Sequence, residues 1–259
     1  MYSLEHKKYL KKIRNKKIIV TIFQILIVTL FIIIWQLLAD LKIINTFLSS
    51  SPKGIIQTII NLYETNNLFN HIYITIYETF ISLFIGTITG LIISSILWWN
   101  DYIAKILDPY LTIFNSLPKV ALGPIIIIIA GANQKSIIIM ALLISVIITI
   151  INMYQSFILT DENKIKLLKS FKATKYQIYK YLILPNSFSN IISTIKINIS
   201  MSLVGVIMGE FLVSKEGIGY LIMYGSQVFN LNLVMTGIFL LLIISAILYY
   251  LVVLLERRN

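Results

Sequence analysis

Two carboxylates, Glu78 and Glu210, fall inside long apolar runs of this 259-residue chain. An ionisable side chain among hydrocarbon is costly to keep, so each is a candidate for a pathway, a gate or a proton relay. Lys196 sits in a third apolar run, and Lys119 between Pro118 and Pro124. Glu78 and Lys196 could pair across helices. Glu210 directly follows Gly205-x-x-x-Gly209, a spacing that lets helices approach closely. Other chemistry is excluded by residue type. There is no cysteine, hence no disulfide, thiol nucleophile or zinc–cysteine site. His6 and His71 are far apart and read as surface residues, no metal cluster or catalytic dyad appears, and no cofactor is expected. No G-x-x-x-x-G-K-[ST] phosphate loop occurs either, so the chain does not itself hydrolyse a nucleotide.

The elements that must position these groups are apolar helices. Hydrophobic residues make up 58 %, charged residues only 13 %, and the mean hydropathy is +0.86. A soluble surface carries roughly twice that charged fraction, and several runs reach the ~20 residues that cross a bilayer. The fold class is all-α, a polytopic membrane protein with six transmembrane helices. Helix 1 covers Ile18 to Leu41 and keeps seven Lys/Arg ahead of it, which marks a retained span rather than a signal peptide. An outer segment, Lys42 to Asn70, carries a short helix that starts at Ser51-Pro52 and lies along the interface. Helix 2 runs from His71 to Leu97, with Trp98 and Trp99 at the headgroups. Tyr102 to Gly131 is an irregular crossing broken by prolines. Helix 4 spans Ser136 to Phe157, helix 5 Phe188 to Val213 and helix 6 Leu233 to Leu255, with an outer loop between the last two. This topology places 16 of the 22 Lys/Arg on the side of the termini. That bias puts both termini in the cytoplasm, with the chain in the cytoplasmic membrane and the lipid bilayer around it. The net charge of +11 suggests no nucleic acid, because the lysines cluster at helix ends without stacking aromatics.

The largest polar insert of the second half is Thr160 to Pro185. It holds six lysines, with its two acids at the start. Asp161 is placed to cap a helix whose acids precede its lysines, in the order the helix dipole favours. Ile165, Leu168 and Phe171 give that helix one apolar face. Thr174 and Gln177 fit a capping box that opens a second short helix carrying Ile178, Tyr179 and Leu182, with Pro185 as its stop. Two short helices joined by a turn form a knob suited to a groove in another protein. An ordinary basic loop held to anionic lipid is the plainer alternative.

The insert resembles the EAA loop of permease subunits of ATP-binding-cassette importers, E-A-A-x3-G-x9-I-x-L-P. Its ending falls on Leu182-Ile183-Leu184-Pro185, its glycine on Lys172 and its acid on Lys166, followed by Leu167 and Leu168. A lysine in a left-handed turn costs roughly 1–2 kcal/mol, so the turn at Lys172-Ala173 is expected to be open to remodelling. The likeness continues along the chain. Asp108-Pro109, then Leu117 to Pro124, and Lys196 resemble segments of the nitrate/sulfonate/taurine-type permeases, which include carriers of thiamine-precursor pyrimidines. Leu203 to Glu210 and Glu216 to Ile222 do the same; Ile129 and Ala130 depart where the family has aromatics.

What the resemblance implies is a type I importer (MetI-like) permease fold rather than an enzyme. It divides the chain into residues 1–50, the N-terminus with the first span, and a permease domain, 51–259, whose coupling loop is 160–185. ATP would be hydrolysed on separate ATPase subunits that grip Asp161, Ile165, Leu168, Phe171, Lys172, Ala173, Thr174, Gln177 and Pro185. An external substrate-binding protein would deliver the solute. A second permease copy would complete a pathway in which Pro118, Pro124, Lys196, Gly205, Gly209 and Glu210 take part. The alternative from another class is a proton-coupled secondary transporter working through Glu78 or Glu210.

Overall fold

The computed structural model describes the backbone of residues 4–256 and the side chains of 9–254, and its regular elements are all helical. His6 lies outside the described side chains. Helix α1, Leu4–Asp40, begins well before the apolar run, because the lysine-rich start is itself helix-forming. Its apolar side chains, Ile25, Ile27 and Phe31 among them, face outward. It is tied to the body near its end, where Gln36 Oε1 accepts a hydrogen bond from the Lys53 amide at 3.0 Å. Helix α2, Pro52–Glu64, is capped by Ser51, whose hydroxyl accepts from the Gly54 amide at 3.1 Å. It does more than lie along an interface. Ile55 is buried, and Ile59 and Leu62 pack on an apolar cluster that includes Leu240 and Ile244.

Helix α3, Leu68–Trp99, returns across the body and hands over to α4, Asp101–Ser116, at Asn100, whose side chain caps the new helix. The predicted irregular crossing is a bent pair. After Pro118 a 3₁₀ turn, Lys119–Leu122, leads into α5, Gly123–Ala130, at 91° to α4. The three prolines act differently. Pro109 sits inside α4 without ending it, Pro118 stands at the break, and Pro124 lies in the first turn of α5, where its missing N–H is harmless. Lys119 folds back to donate to the Asn115 carbonyl. Among the described residues five helices are long and apolar enough to cross a membrane, six if the bent pair counts as one crossing.

Helix α6, Gln134–Ile158, is followed by the polar insert, with α7, Glu162–Ser170, and α8, Lys175–Ile178. Helix α8 widens into a π-helical stretch, Tyr179–Ile183, and closes with a turn at Leu184–Asn186. Pro185 therefore does not stop the second short helix. A proline in a regular helix collides with the carbonyl four residues back, and the π turn, in which the Leu184 amide reaches Tyr179 O, opens the coil just before it. The break falls at Ser187 instead, and α9, Phe188–Val213, follows. The outer loop is also not a plain loop. It contains α10, Ile218–Gln227, before the last helix, α11, Leu231–Glu256.

Helices α3, α6 and α9 form the centre, and small residues let them meet. A Cβ on Gly205 would lie 2.5 Å from Ala141 Cα, and one on Gly209 2.9 Å from Ile137 Cα. Gly86 and Gly90 face Ser145 and Thr149 in the same way. Asn198 Nδ2 donates to Thr149 Oγ1 at 2.5 Å and to Thr87 Oγ1 at 3.1 Å, joining all three helices. Between apolar helices in a bilayer, close packing and such bonds supply the attraction that water would otherwise provide.

Candidate functional site: two clusters at opposite ends of the spans

The insert lies where α3 and α6 end. Asp161 caps α7, its carboxylate accepting from the Asn163 amide at 2.8 Å. The helix ends in a Schellman turn. The Ala173 amide donates to Leu168 O at 3.0 Å, the Lys172 amide to Lys169 O at 2.9 Å, and Lys172 adopts φ +59°. The turn is therefore kept with a lysine where the pattern has glycine. The capping box then forms. The Thr174 amide donates to Gln177 Oε1 at 2.8 Å, and the Gln177 amide to Thr174 Oγ1 at 3.3 Å.

The predicted apolar face is split. Ile165 and Leu168 pack, with Ala173 and Leu182, on the buried group Met153, Phe157, Ile178 and Ile183. Phe171 turns away and is 73 % exposed, because the helix has already ended there. Leu167, one turn earlier, is exposed beside it. Asp161, Lys172, Thr174, Gln177 and Pro185 are exposed as well. The whole knob is fastened to α3. Lys175 Nζ donates to Trp99 O at 2.7 Å and stands over the Trp98 ring, while Tyr179 Oη and Ser95 Oγ share a hydrogen bond of 2.6 Å. The knob is thus packed on the end of α3 and the end of α6.

At the other end, α10 begins at Gly217, whose φ is +98°, and no side chain of its own caps it. Acceptors arrive from other helices. His71 Nδ1 accepts from the Gly217 amide at 3.0 Å, Thr75 Oγ1 from the Ile218 amide at 2.8 Å, and Glu210 Oε2 from the Gly219 amide at 2.5 Å. Thr75 Oγ1 in turn donates to Glu210 Oε1 at 2.7 Å. These groups leave no room for a side chain. A Cβ on Gly217 would stand 2.3 Å from Glu210 Oε1, and one on Gly219 2.7 Å from Oε2.

Several expectations are corrected here. His71 is buried rather than a surface residue, because α10 covers the start of α3. Glu210 is 1 % exposed and is taken up in holding α10. Glu78 does not pair with Lys196. Its neighbour is Glu210, whereas Lys196 sits nearly four turns earlier on α9, about 21 Å along the axis. The six residues expected along a pathway are not gathered in one opening. Pro118 and Pro124 are exposed at the α4–α5 bend, Gly205 and Gly209 are buried against α6, Lys196 is half-buried in α9, and Glu210 holds α10. Thr75, His71 and the first turn of α10 were missed. The signal was there: His71, Thr75, Glu78 and Ser82 recur at helical spacing along one polar stripe of an otherwise apolar helix. Among the described residues no group of three or more metal-ligating side chains occurs.

Comparison with known proteins agrees with this architecture. Residues 82–259 match the model of the binding-protein-dependent transport system inner membrane component family. The putative aliphatic sulfonates transport permease protein SsuC of Bacillus subtilis is 26 % identical over 90 % of this chain and 85 % of its own length. The formylaminopyrimidine transport permease protein ThiX of Halalkalibacterium halodurans is also 26 % identical, over 76 % of this chain and 80 % of its own. The MetNI methionine ABC transporter in an inward-facing form superimposes with a TM-score of 0.67 at 18 % identity, covering 75 % of this chain and 97 % of the other. With more than half of its length inside the family model, the chain belongs to the binding-protein-dependent transport system inner membrane components, the permease subunits of ATP-binding-cassette importers, and is a membrane-spanning transport subunit rather than an enzyme.

Proposed function

We propose that the chain carries a small polar solute inward and is driven by separate ATPase subunits that grip the knob at residues 160–185. The observation that carries this is the exposed pair Leu167 and Phe171 on a two-helix knob that is itself bolted to the inner ends of α3 and α6. A groove on the ATPase would take this apolar pair, with Lys172, Thr174 and Gln177 at its edge. Asp161, Ile165, Leu168, Ala173 and Pro185 would keep the knob rigid enough to pull on the spans. ATP hydrolysis must come from the partner, since the chain has no phosphate loop.

In this reading the domain division falls at residue 50, both termini face the cytoplasm, and two copies of the chain form the pathway. A substrate-binding protein docks on the side of α10. The solute belongs to the set carried by related permeases, namely alkanesulfonates, taurine, nitrate or a thiamine-precursor pyrimidine. Lys196, Gly205, Gly209 and Glu210 act by holding the moving helices, and Pro118 and Pro124 by shaping the bend. The proton-coupled alternative is not favoured, since the family works with an ATPase.

The test is purification in mild detergent from cells that also make the ATPase encoded with this chain. The intact chain is expected to bring that subunit down, and Phe171→Asp to lose it. Phe171 is 73 % exposed, so the change leaves the core intact. Absence of any ATPase with the unchanged chain would refute the coupling role.

A further inference from the structure

One buried group remains unused by either cluster. Glu78 is 1 % exposed and stands beside Glu210, which is buried as deeply. The two carboxyls are hydrogen-bond partners of one another, and Gln134 is the other side-chain partner of Glu78. Two ionised carboxylates cannot form such a bond, since each has only lone pairs to offer. With water excluded they would also repel one another strongly, so a carboxyl pair of this kind holds one proton between its members.

The surroundings decide which residue carries that proton. Glu210 accepts on both oxygens, from the Thr75 hydroxyl at Oε1 and the Gly219 amide at Oε2. It also faces the first turn of α10, where the helix dipole favours negative charge. Glu78 is the reverse case. No donor among the described residues reaches its Oε2. An oxygen with nothing to accept is suited to be the hydroxyl of the acid, which donates instead. The other titratable groups nearby are His71 on the same helix, whose Nδ1 accepts from Gly217, and Tyr220 of α10, stacked on His71. Lys215 and Glu216 line the cleft beside Glu78 and offset one another, and α6 contributes only the uncharged Asn133 and Gln134 there. We infer that Glu78 is held as the neutral acid and donates its proton to the Glu210 carboxylate, so that one shared proton latches α3 to α9 where α10 is anchored. This goes beyond the transport role and does not depend on it. The latch can titrate, because Glu78 lines that cleft. Losing the proton would set two charges side by side at the acceptor that holds Gly219, and the start of α10 would loosen. The latch therefore holds at neutral pH and opens as the pH rises.

The experiment uses the full-length chain in an ester-free maltoside detergent. Infrared spectra read the C=O stretch of a protonated carboxyl, which stands apart from the bands of ionised ones. Exposed carboxyls are ionised at neutral pH, so the band seen there reports the buried pair. It is expected in the unchanged chain, should shift in deuterated water and vanish at alkaline pH, and should be absent from Glu78→Gln. Glutamine stands in for the acid, since its amide still donates to Glu210. Thermal midpoints give a second reading. The unchanged chain should lose several degrees between neutral and alkaline pH, and Glu78→Gln markedly less, lysine and tyrosine titration being common to both. No protonated carboxyl at neutral pH, a band that survives Glu78→Gln, or an equal pH dependence of the two proteins would each overturn the inference. Should Glu78→Gln not fold, the band of the unchanged chain and its loss on raising the pH still decide.

Discussion

The knob holds short helices against α3 and α6, and the α10 anchorage holds one against α3, α9 and α11, but they are built in opposite ways. In the knob each polar contact that shapes the helices is local. Asp161 reaches two residues, Thr174 and Gln177 three, and the Schellman turn closes within six. Its edges face water, so a lost cap is partly replaced by solvent. At α10 the contacts join residues 143 and 146 apart in sequence, and the Thr75–Glu210 bond spans 135. All of them are buried, so no water can stand in. A local, solvated device tolerates substitution and can be reshaped to fit a partner. A buried, long-range one fixes the relation of α3, α9 and α10 and fails as a unit.

That contrast is broken most severely at Gly217. Gly217→Ala places a methyl at φ +98° and 2.3 Å from Glu210 Oε1, so both the backbone and the carboxylate would have to move. A loss of about 3 kcal/mol or more is expected, read as a sharp fall in monodisperse protein and in the thermal midpoint in detergent. Glu210→Gln is the next largest. Its oxygen can still accept from Thr75, but its amide group then faces the Gly219 N–H, two donors together. About 1–3 kcal/mol should be lost. If both variants melt like the unchanged chain, α10 is not anchored through this carboxylate.

The same contrast explains what could be read from residue order. The ends of α9 were placed at Phe188 and Val213 from hydropathy alone, and the caps Asp161, Ser51 and Thr174 from residue type and spacing. Each is a near-neighbour effect. Lys196 was only a possible partner for Glu78, because opposite charge is a weak guide when the helix register is unknown. The register is set by Gly86, Gly90, Gly205 and Gly209 meeting particular residues of α6, which no single segment reveals. Helix α10 was read as loop because its start has no cap of its own and borrows acceptors from helices far away in sequence. The stop assigned to Pro185 failed for a local reason: a π turn can accommodate a proline that a regular turn cannot.

Within the knob, Thr174→Ala should cost about 1 kcal/mol, since it removes one half of the capping box. Hydrogen exchange at the Gln177 amide should quicken about fivefold, with the spans unaffected. An effect that spreads into α3 or α6 would mean that the capping box is not a local contact but part of what fastens the knob to the spans.

The smallest expected change sharpens the comparison from the other side. Lys172 holds φ +59° although lysine has a Cβ, a cost of about 1–2 kcal/mol. Lys172→Gly removes that cost, but it loosens the unfolded chain by about 0.5–1 kcal/mol, leaving a net gain of about 0.5–1 kcal/mol. The Ala173 amide, bonded to Leu168 O at 3.0 Å, is the reporter, and its exchange should slow about two- to fivefold. The same variant tests why a lysine is there. Lys172 is exposed beside Phe171, so in the proposed contact with the ATPase its positive charge can outweigh the strain of the turn. If Lys172→Gly slows exchange and also weakens retention of the ATPase in the pull-down, the strain is maintained for the contact. If exchange quickens, the left-handed turn is not where the stability of this knob is lost.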